Sequence, residues 1–186
     1  MPLFRDDTLK HWLETLDESL AESIRRLAQF NEGDLLARAP NDLAEECVKA
    51  FAIEMPRLMT PIQVTSPAKP TEVTVRIPVE GESAMLVCTP DRPLAHRPSG
   101  EYSDAGRHIT MTRDFPNMDP AEVRAWVDEQ VALIRKWLDR IATQVGPWNE
   151  SLHARATEQI ATRRQEAEKR REFVKGIGYP EARDKR

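Results

Sequence analysis

The sequence predicts an α+β protein: two N-terminal helices, a small antiparallel sheet of about three strands, and a long C-terminal antiparallel helix pair. Three observations predict it. Apolar residues recur at steps of three and four from Leu9 to Met55, at steps of two from Val73 to Val79, and at steps of three and four again from Val127 onward. Prolines and glycines gather between these stretches, where the chain must turn.

The first helix lies in "DDTLKHWLETLDESLAESIRRLAQFN". Leu9, Trp12, Leu13, Leu16, Leu20, Ile24 and Leu27 share one face, and Asp6, Asp7 or Thr8 can cap the first turn. "NEGDLLARAP" breaks it. The second helix opens at "NDLAEE", where Asp42 and Glu45 have the spacing of a capping box, and carries Leu43, Cys47, Ala50, Phe51 and Met55 as its stripe before Pro56. Residues 59–72 hold three prolines and read as an extended connector.

In "VTVRIPV" the period becomes two. Val73, Val75, Ile77 and Val79 face one way, and Pro78 implies an unpaired edge. Gly81 in "EGES" can turn the chain with a positive φ, so that "AMLVC" returns as a second strand and Ile77–Pro93 forms a hairpin. A third strand is expected at "RHITMT", with Ile109 and Met111 inward. Between the last two strands runs "TPDRPLAHRPSGEYSDAG". Loops longer than about 12–15 residues without structure of their own are usually functional or disordered. This loop is therefore the candidate site, with Arg92, His96, Arg97 and Tyr102 as the residues to contact a ligand or partner.

After "DFPNM", Asp119, Pro120 and Glu122 supply a cap, a first-turn proline and a capping-box partner. Val127, Val131, Ile134, Leu138, Ile141 and Val145 then form a heptad seam, flanked by Trp126 and Trp137, that can dock to the domain or to a second copy. Gly146-Pro147 predicts a break, and Asn149 can cap a further helix to about Lys175. So short a break favours an antiparallel pair. The division this implies is 1–118, helical plus small sheet, and 119–186, a helical hairpin with a basic arm, the whole forming one continuous unit.

Composition narrows the function. A chain of 186 residues is about one domain. Its net charge of −4 is too mild to name a partner, but residues 151–186 hold 10 basic groups against 6 acidic and form the basic part. Neither a signal-peptide core nor a membrane-spanning apolar run of about 18 residues is visible, and the two cysteines, Cys47 and Cys88, form no close pair, which together point to the cytoplasm. No glycine precedes a lysine and no Gly-x-Gly-x-x-Gly occurs, which excludes both phosphate-binding motifs. No lysine follows an acid by two residues, as a restriction-type nuclease centre wants. Cys88, Asp91, His96 and His108 lack the paired spacing of a zinc site, and Cys88 with His108 lacks a third orienting group. The expectation is thus no catalytic residue, no metal and no cofactor.

The basic arm offers Arg163, Arg164, Lys169, Arg170 and Arg171 to phosphates. Glu166, Glu168 and Glu172 interleave with them at helical spacings that favour self-pairing, and no aromatic stacking motif accompanies them. A nucleic-acid-binding accessory protein is the alternative reading rather than the first.

The strand pair "VTVRIPVEGESAMLVCTPDRP", the "WNESL" turn and the ending "RRQEAEKRREFVKGIGYP" carry a resemblance over Val73 to Pro180. This stretch resembles a module of bacterial proteins from anti-phage defence settings, where it sits N-terminal to an effector such as a nuclease-like or TIR domain. Asn149, Arg163, Arg164, Gly178 and Pro180 fall on its pattern, whereas "MLVCTPDRP" replaces the aromatic-Arg character after its glycine turn. The resemblance implies a scaffold or sensing module without its own chemistry, the effector lying outside this chain. The expected function is accordingly a non-enzymatic sensor or regulatory module. Its expected partners are a protein, a separate effector chain among the candidates, and a second copy, with no membrane.

Overall fold

The computed structural model describes residues 1–5, 8–65, 71–117 and 119–178. Asp6 and Asp7 as caps, part of the 59–72 connector, Met118 of "DFPNM" and Pro180 of the family-like ending lie outside the described residues. The elements in order are α1 (Leu9–Phe30), α2 (Glu32–Ala37), α3 (Pro40–Phe51), β1 (Arg57–Leu58), β2 (Gln63–Thr65), β3 (Glu72–Glu80), a 3₁₀ turn (Ser83–Leu86), β4 (Glu101–Ser103), β5 (His108–Asp114) and α4 (Pro120–Ile177). The α+β class is as expected, with a small antiparallel sheet and a long C-terminal helix.

These elements pack into two compact units. One comprises Met1–Glu14 and Ile53–Trp148 and holds the sheet; the other comprises Thr15–Ala52 and the chain from Asn149 onward. The borders fall inside α1 and α4, so each of these helices contributes to both units.

In the sheet unit, β3 is central. β1 and β2 pair with one side of it, β5 with the other, and β4 adds to β5. Val73, Val75, Ile77 and Val79 alternate inward as their spacing predicts, and Ile109 and Met111 are fully buried opposite them. Two strand expectations need correction. Pro78 is not at an open edge but in the middle strand. Its carbonyl accepts from Met59 N–H, so its missing N–H faces the same side, where the neighbouring strand changes from β2 to β1. The gap between two short partners is where a central strand tolerates proline.

"AMLVC" is not a strand, and the hairpin does not form. Ser83–Leu86 winds into a 3₁₀ turn whose first N–H groups are met by Glu82, its side chain accepting from Ala84 and its carbonyl from Met85. Met85, Leu86 and Cys88 are all buried, which a strand facing one side would not allow for neighbours 85 and 86. A short apolar run has no period to separate the two states. Gly81 does take a positive φ, of 98°. A Cβ there would lie 2.8 Å from the Met55 carbonyl oxygen, so glycine also lets residues 54–56 cross closely, where Glu54 carbonyl accepts from Glu82 N–H.

The N-terminal helices hold with adjustments. Thr8 caps α1, its hydroxyl accepting from His11 N–H at 3.3 Å. "NEGDLLARAP" contains the short α2, and α3 begins at Pro40 in its first turn after Ala39, not with a capping box at Asp42. It ends at Phe51, ahead of Met55 and Pro56.

The largest correction is to the helical hairpin. Pro120–Ile177 is one helix that runs through Pro147, with Asp119 capping it: the carboxylate accepts from Ala121 N–H at 2.9 Å. Two local facts let proline stand there. Gly146 has no Cβ for the pyrrolidine ring to strike. Thr143, whose carbonyl loses its helical donor, is exposed, as is Pro147 itself. The buried stripe Val131, Ile134, Leu138, Ile141 and Val145 meanwhile continues in phase through Trp148, Leu152, Ala156 and Ile160. Burial of that stripe outweighs the local penalty of about 3 kcal/mol for an interior proline. Gly178, at φ 76°, ends the helix, its N–H bonding the Lys175 carbonyl.

Candidate functional site

The segment from Thr89 to Ser103 lies against the sheet-unit part of α4. Gln144 accepts from Asp91 N–H at 3.5 Å, and Gln130 accepts from the Ser99 backbone N–H at 2.8 Å and from its hydroxyl at 3.0 Å. Trp137 is the centre of this contact. Its indole N–H donates to the His96 carbonyl at 2.8 Å, Phe4 stacks on its ring at 5.0 Å, and the Arg97 guanidinium lies over it at 5.8 Å. Trp126 meets Phe115 edge-on at 5.5 Å, so both tryptophans pack within the sheet unit.

The four loop residues do not converge. Arg92, His96 and Arg97 are exposed, and the last two are positioned by what they give Trp137. Tyr102 sits in β4 instead of a loop, 3% exposed, with its backbone N–H donating to the Met1 carbonyl and its hydroxyl to Asp104 at 3.3 Å. Beside this segment a hollow of about 330 Å³ is lined by Leu94, Lys136, Asp139, Arg140 and Thr143. The thiol–imidazole candidates are in the same unit: Cys88 is buried, and a Cβ at Gly106 would lie 2.3 Å from the His108 ring. Among the described residues, no group of three or more His, Cys, Asp or Glu side chains is placed to share a metal ion. Nor is any helix of the described residues long and apolar enough to cross a membrane.

In the helical unit the basic arm is largely occupied with its own fold. Arg164 donates to the carbonyls of Leu35 and Arg38 from one nitrogen and of Leu36 from another, closing the C-terminal end of α2. Arg171 and Arg170 pair with Glu32 at 2.6 and 3.5 Å, and Arg163 with Glu166 at 2.8 Å. Lys169 is exposed. On α1, Arg25 and Arg26 both bind Glu22, and these hydrogen bonds, Arg25 first, hold its carboxyl at about 2 against an ordinary 4.5. Burial first, then the neighbouring Glu46 charge, raises the Cys47 thiol, which stays protonated at neutral pH. Asp17 with Arg155 is an ion pair no sequence spacing could reveal, its members lying on α1 and α4.

A groove of about 250 Å³ opens between these two helices, lined by Arg25, Ala28, Gln29, Arg163, Glu166, Ala167 and Arg170. Along α4, Arg163, Glu166, Arg170, Phe173 and Ile177 follow at steps of three and four, so the groove side continues into Phe173 and Ile177, 71% and 51% exposed. The signal for this row in the sequence is the step of three from Arg170 to Phe173 and of four from Phe173 to Ile177.

Comparison with known proteins adds no relative: no family model matches the chain, and neither a curated protein nor a solved structure is significantly similar to it.

Proposed function

We propose that this chain is a non-enzymatic interaction module, a sensor or regulatory part of a bacterial system of the anti-phage defence type. Its partner in this reading is a protein, an effector chain that carries the chemistry. One observation carries the reading: the helical unit leaves Phe173 and Ile177 on its surface beside the arginines of the groove. Aromatic residues and arginine are the types that dominate binding energy at protein interfaces, and Phe173 and Ile177 leave apolar surface exposed beside arginines. Arg164 and Arg171, by contrast, already serve the fold, which weakens the nucleic-acid alternative.

The test is co-purification from the native bacterium with wild-type chain and with Phe173→Asp combined with Ile177→Asp. One dominant protein that the variant loses, with helicity by circular dichroism unchanged, is the expected result. Recovery of nucleic acid that salt strips away, with no protein partner, overturns the reading.

A further inference from the structure

From Leu58 to Thr65 the chain reads "LMTPIQVT", without a charged residue, although 31% of the chain is charged. This stretch contains β2, which forms an outer edge of the sheet. The opposite edge is closed. There Tyr102 N–H donates to the Met1 carbonyl at 2.7 Å, Leu3 N–H donates to the Gly100 carbonyl at 3.3 Å, and Pro2 bridges Glu101. Among the described residues no strand pairs with the outer side of β2, and this three-residue strand carries none of the charges that often blunt such an edge.

The register says which groups the edge presents. In β3, Val79 N–H donates to Arg107 on the β5 side, while the Pro78 carbonyl accepts on the other side. Odd-numbered residues of β3 therefore direct their backbone groups toward β5 and even-numbered ones toward β1 and β2. Gln63 and Thr65 face Arg76 and Thr74, even positions, and share their hydrogen bonds. Val64 faces Val75, so its own N–H and carbonyl point outward, away from β3. Side chains directly opposite share a sheet face. Val75 is fully buried on the core face, yet Val64 on that same face is 65% exposed.

We propose that β2 is a homotypic contact: two copies of this chain pair antiparallel along this edge, with Val64 on the two-fold axis exchanging N–H and carbonyl bonds with the partner's Val64. The strand fits itself. The pairing sets Val64 against Val64 and Gln63 against Thr65, joining apolar to apolar and amide to hydroxyl, with no like charges opposed. This contact lies in the sheet unit and does not rest on the partner surface proposed above.

The experiment is sedimentation of the full chain over a range of concentrations, together with oxidation of Val64→Cys. Wild type is expected to move from 21.3 kDa toward twice that mass as concentration rises, while Val64→Arg stays at the single mass with unchanged circular dichroism. Hydrogen-bonded antiparallel positions lie about 5.5 Å apart between Cα atoms, inside the span a disulfide bridges, so Val64→Cys should form a covalent dimer that wild type does not. A monomer at every concentration overturns the proposal. So does a dimer that survives Val64→Arg, or a different protein strand bound at Val64 in place of a second copy.

Discussion

Arg164 shows how a charge that looks available can be spent inside the fold. Its guanidinium bridges three carbonyls where α2 ends, groups that the short helix cannot satisfy itself. Truncation leaves those carbonyls without their charged donor. Arg164→Ala is expected to lower stability by about 2–3 kcal/mol, read as a lower urea midpoint. Arg164→Lys should recover only part of it, because a single ammonium cannot span the fork that a guanidinium covers. Retention of the full midpoint in Arg164→Ala would show that these bonds add nothing. The same geometry makes Arg164 a poor probe of nucleic-acid binding. Lys169, exposed on the same helix, is the residue to reverse for that purpose.

Among the elements, α4 carries the sharpest consequence. Replacing Pro147 with alanine restores a backbone donor to Thr143 and removes the ring clash, and is expected to stabilise the protein by about 1–3 kcal/mol in thermal or urea unfolding. Gly146→Ala should help only in that background, by about 1 kcal/mol, since beside Pro147 its new Cβ meets the proline ring. Simple additivity of the two changes would contradict this account. The same helix shows what was legible in the sequence. Asp119 and Pro120 announced its start and Lys175 its approximate end, and the inward rows of β3 and β5 followed from alternation. Gly146-Pro147 is a strong local breaker, but the buried spacing 145, 148, 152, 156, 160 never loses phase across it. β1, β2 and β4 were not legible, since two or three residues are too few to show a period. Of the loop residues, Tyr102 was hidden for that reason: its burial depends on β5 and on the chain's first residues, far away in sequence.

At the scale of the whole molecule, neither unit is a continuous stretch of chain. Leu20, Ile24, Leu35, Leu43 and Ala44 are buried in a unit whose remaining core, Leu152, Ala156, Ile160 and Ala167, comes from the far end of the sequence. A chain ending at Trp148 should therefore expose the first group. The expected result is strong binding of a hydrophobic dye and a loss of helicity larger than the removed residues account for. Normal helicity over residues 15–52 in that truncated chain would show that they fold unaided. The discontinuity also has a consequence in time. A ribosome adding roughly 5–20 residues per second needs on the order of 5–20 s to make the hundred or so residues between Ala52 and Asn149. Through that interval the early helices carry an uncovered apolar face, so a nascent chain of this protein is a natural client for chaperones that shield such surfaces until synthesis ends.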